Sequence, residues 1–241
     1  MAINILILAA GQVAFDTHDE GYPLCLTETD GMSLIEKIIS HTKCIEDEKH
    51  YTYAILERDA EKFHLDKVVQ LLTDGSDVVR IPDSTKGSAC TALLAASQID
   101  PDSELLIISA NELVDKDYSE VISQFKGKGL NGGTLTFKSV HPRYSYIKLN
   151  SDDLVVEAAQ QMPISKNATA GVFWFRKTSD FVEGAKNMIR KNASVNGNFY
   201  VAPVFNELIL QQLRIGAIEL SLEHYRPIKT ERQMQQFEHR G

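Results

Sequence analysis

One short apolar run, Ile3-Asn4-Ile5-Leu6-Ile7-Leu8, empties directly into Ala9-Ala10-Gly11-Gln12, and it constrains the fold more than any other segment. A run rich in β-branched residues reads as a buried strand, and the small residues after it leave the backbone bare for a ligand to approach. That is how a nucleotide enters many α/β proteins. The loop that follows is acidic: between Gly11 and Gly31 it carries Asp16, Asp19, Glu20, Glu28 and Asp30, and neither lysine nor arginine.

Strand and helix patterns alternate from there. Strands are expected at Ile3 to Leu8, Tyr51 to Leu56, Asp77 to Ile81 and Leu105 to Ser109. Helices are expected over Met32 to Thr42, Ala60 to Leu72 (with Phe63, Val68 and Leu71 on one side), Ser88 to Ser97 and Asp117 to Phe125. Alternation of this kind predicts an α/β fold in three layers, α/β/α, with a mostly parallel central sheet. Ligands of such sheets bind beyond the carboxyl ends of the strands, so the loops after Leu8, Ile81 and Ile108 should meet at one cleft.

After Leu130 the pattern changes. Gly133 to Ser139, Ser145 to Leu149, Leu154 to Glu157 and Ala170 to Arg176 are successive strands without helices between them, which makes the sheet mixed and walls one side of the cleft. Helices at Ser179 to Lys191 and Val204 to Leu213, a strand at Ala217 to Leu220, and a polar, loosely helical stretch from Thr230 complete the chain. No linker divides its 241 residues. One domain is expected, with a first half at 1–130 on the side of the nucleotide-type loop, a second half at 131–225 and a tail at 226–241. The tail and the late antiparallel strands are candidates for a homodimer contact.

Charge narrows the partners. A net charge of −8 argues against a nucleic-acid or membrane-surface protein and for a small-molecule ligand. Cys25, Cys44 and Cys90 are odd in number and lack metal-ligand spacing, so buried free thiols and a cytoplasmic setting are expected. The N-terminal apolar run is far short of the ~20 residues that span a bilayer, and it lacks a basic flank, so neither export nor anchoring is expected.

Four segments carry polar groups that chemistry can use. Thr85-Lys86-Gly87-Ser88-Ala89 sits at a strand-to-helix junction, where exposed amides attract anions and Gly87 lets a planar ring approach; capping of a structural helix is the alternative. Asn111 and Glu112 emerge after the most apolar strand, where oxygen ligands hold Mg²⁺, although acids there also cap helices. His141 to Lys148 joins Arg143 and Lys148 to Tyr144 and Tyr146, a match for a phosphorylated ligand or a charged hairpin edge. Asn167 and Thr169 approach a strand, and Phe199 lies in a segment able to close the pocket from the far side.

In order along the chain, Leu8-Ala9-Ala10-Gly11, Tyr22-Pro23-Leu24, Asp30-Gly31, Thr85-Lys86-Gly87-Ser88-Ala89-Cys90-Thr91, Ser109-Ala110-Asn111, His141 to Lys148, Asn167-Ala168-Thr169-Ala170-Gly171 and Phe199-Tyr200-Val201-Ala202-Pro203 resemble the sugar nucleotidyltransferase family. Its members have a GT-A-like fold and include capsule enzymes often labelled glycosyltransferase family 2. The resemblance implies transfer of a nucleotidyl group from a nucleoside triphosphate to a sugar phosphate or related monoester, with Mg²⁺ and release of pyrophosphate. It also implies that Leu8, Ala9, Ala10, Gly11, Gln12, Thr85, Gly87, Ser88 and Ala89 line the nucleotide, and that Asn111 occupies the metal position with Glu112 as an alternative. By the same resemblance, Tyr144, Tyr146, Lys148, Asn167, Thr169 and Phe199 would face the acceptor, and Lys86, Arg143 and Lys148 would supply catalytic charge.

The chain departs from the family where phosphate charge is handled. Gln12-Val13-Ala14-Phe15 replaces a glycine and an arginine, Tyr22 a lysine, Asn111 an aspartate, and Gln160-Gln161 a Glu-Lys pair. Each lost contact to transition-state charge costs about 3 kcal/mol, about a hundredfold in rate. The competing expectation is therefore a silent relative that binds nucleotide, sugar nucleotide or a partner enzyme. A glycosyltransferase using a nucleotide sugar is a third, weakened by the lack of an Asp-X-Asp pattern directly after Ile108.

Overall fold

The computed structural model describes residues 2–11, 22–228 and 233. In chain order its first part contains β1 (Ile3–Leu8), β2 (Glu28–Thr29), β3 (Met32–Ser33), α1 (Leu34–Thr42), β4 (Lys49–Leu56), α2 (Glu57–Phe63), α3 (Leu65–Leu72), β5 (Asp77–Ile81), α4 (Ser88–Ala96), β6 (Glu104–Ser109), β7 (Glu112–Val114) and α5 (Tyr118–Gly127). Then follow β8 (Gly132–Lys138), β9 (Ser145–Leu149), β10 (Val155–Gln160), β11 (Asn167–Phe175), α6 (Thr178–Arg190), α7 (Val204–Leu210), β12 (Ile215–Glu219) and β13 (Tyr225–Pro227).

Nine strands form the main sheet in the order β10-β9-β11-β6-β1-β4-β5, with β8 on β11 and β12 on β8. Strands β6, β1, β4 and β5 are parallel. Strand β11 runs against β6 through Val172 to Phe175 and joins the two halves of the chain in one sheet. Period-two alternation along β1 divides the core: Ile3, Ile5 and Ile7 pack with α1, α3 and α5, whereas Leu6 and Leu8 pack with α4, α6 and α7. The three layers follow from that division. At the β10 edge the Asn206 amide accepts from Ala158 N–H and donates to its carbonyl, both at 2.8 Å, and so occupies an edge that would otherwise invite another strand.

Several expectations are corrected. The helix read over Ala60 to Leu72 is broken at His64, whose φ of +54° ends α2 and begins α3. The break re-phases the following turn, burying Leu65 and Val69 and leaving Leu71 exposed. Only Cys25 is buried; Cys90 is half-buried, and Cys44 is exposed where its thiol donates to the His41 carbonyl just past α1. At the boundary set for the tail, Tyr225, Arg226 and Pro227 pair antiparallel with Val114, Leu113 and Glu112. A strand three residues long is below what periodicity reveals. The stretch read as a polar helix from Thr230 lies outside the described residues except for Gln233. No helix among the described residues is long and apolar enough to cross a membrane.

Candidate functional site

Two clefts adjoin at the carboxyl rim of the parallel strands. The first, about 500 Å³, is lined by the ends of β1, β4, β5 and β6 and by the loops that leave them, so the turns after Leu8, Ile81 and Ile108 do meet. The second, about 580 Å³, extends over β11, β9 and β10. Ser88, Ser109, Asn111 and Tyr200 line both and mark where they join.

Backbone builds most of the first cleft. Ala9 N–H donates to Ala54 C=O at 2.9 Å and Ala110 N–H to Leu8 C=O at 3.0 Å, which pins the Ala9-Ala10-Gly11 turn beside the rim. Leu8, Ala9, Ala10, Gly11, Thr85, Gly87 and Ser88 all line this cleft. Gln12 lies outside the described residues. Gly87 has φ +89°, and a Cβ there would sit 2.3 Å from the Phe199 carbonyl oxygen. Phe199 N–H donates to Lys86 C=O, and Phe199 C=O accepts from Ala89 N–H, each at 3.0 Å. The bare face of Gly87 therefore admits the chain's own backbone rather than a planar ring, and the Ala89 amide is already used. Through its backbone Phe199 ties the 196–203 segment to the start of α4, and it lines neither cleft. Lys86 is exposed and lines neither cleft, though its neighbours Thr85 and Gly87 line the first.

The charges of the first cleft are opposite to those a triphosphate prefers. Among its described lining residues only Asp59 and Asp83 are ionisable acids or bases apart from Cys25 and Tyr200, and no lysine, arginine or histidine is present. Asp59 is 5% exposed, and burial pushes its carboxyl above the usual range despite the neighbouring Arg58. Burial first, and the neighbouring Asp59 charge second, raise the Cys25 thiol to about 12, so it stays protonated and inert.

Side chains build the second cleft. Arg143 lies at its mouth, with backbone N–H and Nε donating to His141 Nδ1 at 3.3 and 3.2 Å, which places the ring proton of His141 on Nε2. Ser145 donates to the Gln160 side chain, and Gln161, at φ +59°, is held by its N–H to Tyr144 C=O at 2.9 Å. Gly171 sits in the bulge between the two halves of β11 at φ +69°, where a Cβ would lie 2.8 Å from the Glu112 carboxyl. Bulges commonly re-aim chain beside a site. Tyr225 Oη donates to Glu112 Oε2, and Ile228 N–H donates to Asn111 C=O at 2.9 Å, so the chain's late segment walls this cleft.

Of the residues expected to face the acceptor, Thr169 lines the second cleft, and so does Arg143, which was expected to supply catalytic charge. Tyr144 instead packs edge-on to Phe137 at 5.0 Å, and Tyr146 is buried with its hydroxyl on His141 C=O at 2.6 Å. Lys148 is exposed in register with Glu157, and the Asn167 carbonyl is taken by Lys138 Nζ at 2.9 Å. The reason is alternation: on β9, Ser145 faces the cleft, so Tyr146 and Lys148 face away. Asn111 lines both clefts, and Glu112 lines the second.

These two were the expected Mg²⁺ ligands, and the donor set does not fit a resident ion. Asn111 offers a neutral amide, the Glu112 carboxylate is buried against Tyr225 under Gly171, and no three His, Cys, Asp or Glu side chains converge among the described residues. Asp59 and Asp83 were missed altogether. Their only sequence signal is position, directly beyond the carboxyl ends of β4 and β5.

Known structures share the architecture. A nucleoside-diphosphate-sugar pyrophosphorylase from Vibrio cholerae RC9 superposes with a TM-score of 0.80 over 97% of this chain and 98% of its own, at 20% identity. A Bacillus anthracis protein assigned as a glucose-1-phosphate thymidylyltransferase, solved with sucrose, gives 0.71 over 97% and 93%, at 15% identity. No protein-family model and no curated protein matches the chain. At these identities the likeness establishes a shared fold.

Proposed function

We propose that the protein is a nucleotidyltransferase of the sugar-activating kind, binding a nucleoside triphosphate in the first cleft and a phosphorylated sugar in the second. One observation carries this reading: the clefts join at Ser88, Ser109, Asn111 and Tyr200, so ligands in the two would meet there. An acceptor phosphate oxygen would attack the α-phosphorus in line, forming one P–O bond as the bond to pyrophosphate breaks. Arg143 would hold the acceptor phosphate, and Lys86, on the loop bordering the first cleft, would meet the departing pyrophosphate. Cytoplasmic nucleotide pools and a role in supplying activated sugars for surface polysaccharide belong to the same proposal. Magnesium would neutralise phosphate charge in such a reaction, but no step is assigned to it, because the donor set does not hold it.

A second reading has its own support. Asp59 and Asp83 in the first cleft, with no cation among its described lining residues, favour a relative that binds nucleotide or sugar nucleotide without turnover. Pyrophosphate release, measured with each common nucleoside triphosphate against a panel of sugar 1-phosphates, separates the two. Release that requires both substrates supports transfer. Thermal stabilisation by a nucleotide or sugar nucleotide, with no release for any pair, supports binding alone. No stabilisation by any of them overturns both.

A further inference from the structure

The two carboxylates at the far end of the first cleft ask for a ligand that donates hydrogen bonds. If nucleotide occupies this cleft, as proposed above, its phosphates belong where the clefts join. The base then lies at the opposite end, between Leu56, Ile81 and Pro82, beside Asp59 and Asp83. Asp59 is 5% exposed, yet among the described residues its ion pair is a long one, with Arg58 Nε 3.6 Å from its Oδ1, and Lys62 adds only a further electrostatic attraction. That distance is an ion pair and too long for a hydrogen bond, and Arg58 is shared with Asp83 through Nη1 at 3.3 Å. A buried carboxylate left so lightly held costs free energy until a donor reaches it.

We propose that Asp59 selects guanine as the base of the nucleotide. An ionised carboxylate only accepts, and it offers two oxygens side by side. Guanine alone among the common bases presents two adjacent donors on one edge, the N1 hydrogen and the 2-amino group. Uracil and thymine flank their single N–H with carbonyl oxygens, and adenine and cytosine set one amino group next to a bare ring nitrogen. Each of these turns a lone pair toward the second carboxylate oxygen. Burial, which already raises the Asp59 carboxyl, sharpens the penalty for such a mismatch.

Ligand-observed NMR titration of the intact protein with guanosine, inosine, adenosine, cytidine and uridine tests this without phosphate charge. Guanosine should bind at least tenfold more tightly than the rest. Inosine lacks only the 2-amino group, so a tenfold loss for inosine reads that hydrogen bond on the unaltered protein. In Asp59→Asn, guanosine affinity should fall about tenfold or more while uridine affinity moves less than twofold. Uridine or inosine binding as well as guanosine, or an Asp59→Asn protein that keeps the guanosine preference, overturns the selection by Asp59 and leaves the nucleotidyltransferase reading standing. If no nucleoside, nucleoside triphosphate or sugar nucleotide binds, that underlying reading falls as well.

Discussion

The two clefts share one rim but are made of different things. Backbone turns and carboxylates shape the first, and the parallel order of β6, β1, β4 and β5 fixes where those turns meet. Side chains from antiparallel strands shape the second, where a one-residue change of phase exchanges the groups facing the ligand for those facing the core. A binding surface made of main chain survives many substitutions but fails when a glycine gains a side chain. One made of alternating side chains should fail residue by residue.

Gly87→Ala should give the largest effect on the first cleft. The new Cβ would meet the Phe199 carbonyl oxygen at 2.3 Å and its nitrogen at 2.8 Å, and the φ of +89° is strained for any L side chain. Both clashing atoms are backbone, so neither can swing aside. Strain and overpacking together should cost about 3 kcal/mol. For a chain of this size that lowers the melting temperature by about 6–12 °C, readable by calorimetry. Nucleotide binding should weaken with it, because separating Phe199 from α4 opens the cleft wall. An unchanged melting temperature would show that the wall is not rigid and would remove the contrast between the clefts.

Arg143→Ala and Lys148→Ala together test the second cleft. Arg143 lines it, whereas Lys148, exposed on β9 in register with Glu157, does not. A charge-assisted hydrogen bond to a phosphate contributes about 1.5–3 kcal/mol, so Arg143→Ala should weaken sugar-phosphate binding about ten- to a hundredfold. Lys148→Ala should leave it within twofold. Calorimetric titration with a sugar 1-phosphate checks both, and equal losses would mean that β9 presents its other face to the acceptor.

That pair also shows how far the sequence could be read. The limits of β5 and β9 fall at Asp77–Ile81 and Ser145–Leu149 in both readings, because β-branched and aromatic runs bounded by polar turns report strands directly. Meeting of the loops after β1, β5 and β6 followed from parallel order alone. Which side of β9 faces the ligand did not follow, since Tyr146 and Lys148 look like ligand-binding residues and their direction depends on which face of the sheet is buried. Asp59 was illegible for another reason. An acid in the first turn of a helix is ordinary, and only the burial imposed by tertiary packing distinguishes it.

Gly171→Ala should produce a smaller loss than Gly87→Ala although both glycines have positive φ. Here the nearest atoms, at 2.8 Å, belong to the end of the Glu112 side chain, which can rotate, and not to backbone. About 1–2 kcal/mol is expected, mostly backbone strain. Displacing Glu112 from Tyr225 would disturb the second cleft alone. Equilibrium urea unfolding reads the stability, and acceptor titration beside nucleoside titration reads the selectivity. A loss of nucleoside binding equal to the loss of acceptor binding would show that the clefts respond as one unit.

Ser33→Ala should have the smallest effect and leave both clefts untouched, since Ser33 and Glu36 line neither. Ser33 caps α1: its Oγ accepts from Glu36 N–H at 3.4 Å, while its own N–H and Oγ–H donate to Glu36 Oε2 at 2.7 and 2.6 Å. Removing the cap costs about 1 kcal/mol. The Ser33 hydroxyl first, and its N–H second, hold the Glu36 carboxyl below the usual range. In the folded protein Glu36 therefore releases its proton more readily than in the unfolded chain, where its pKa is about 4.3. The stabilisation is complete above that value and is lost as pH falls through the lower folded one. The difference in stability between the original chain and Ser33→Ala should accordingly be widest at neutral pH and shrink below about pH 4. If Ser33→Ala also shifts nucleoside or sugar-phosphate affinity, α1 communicates with the rim, and the division of labour between the clefts would have to be redrawn to include it.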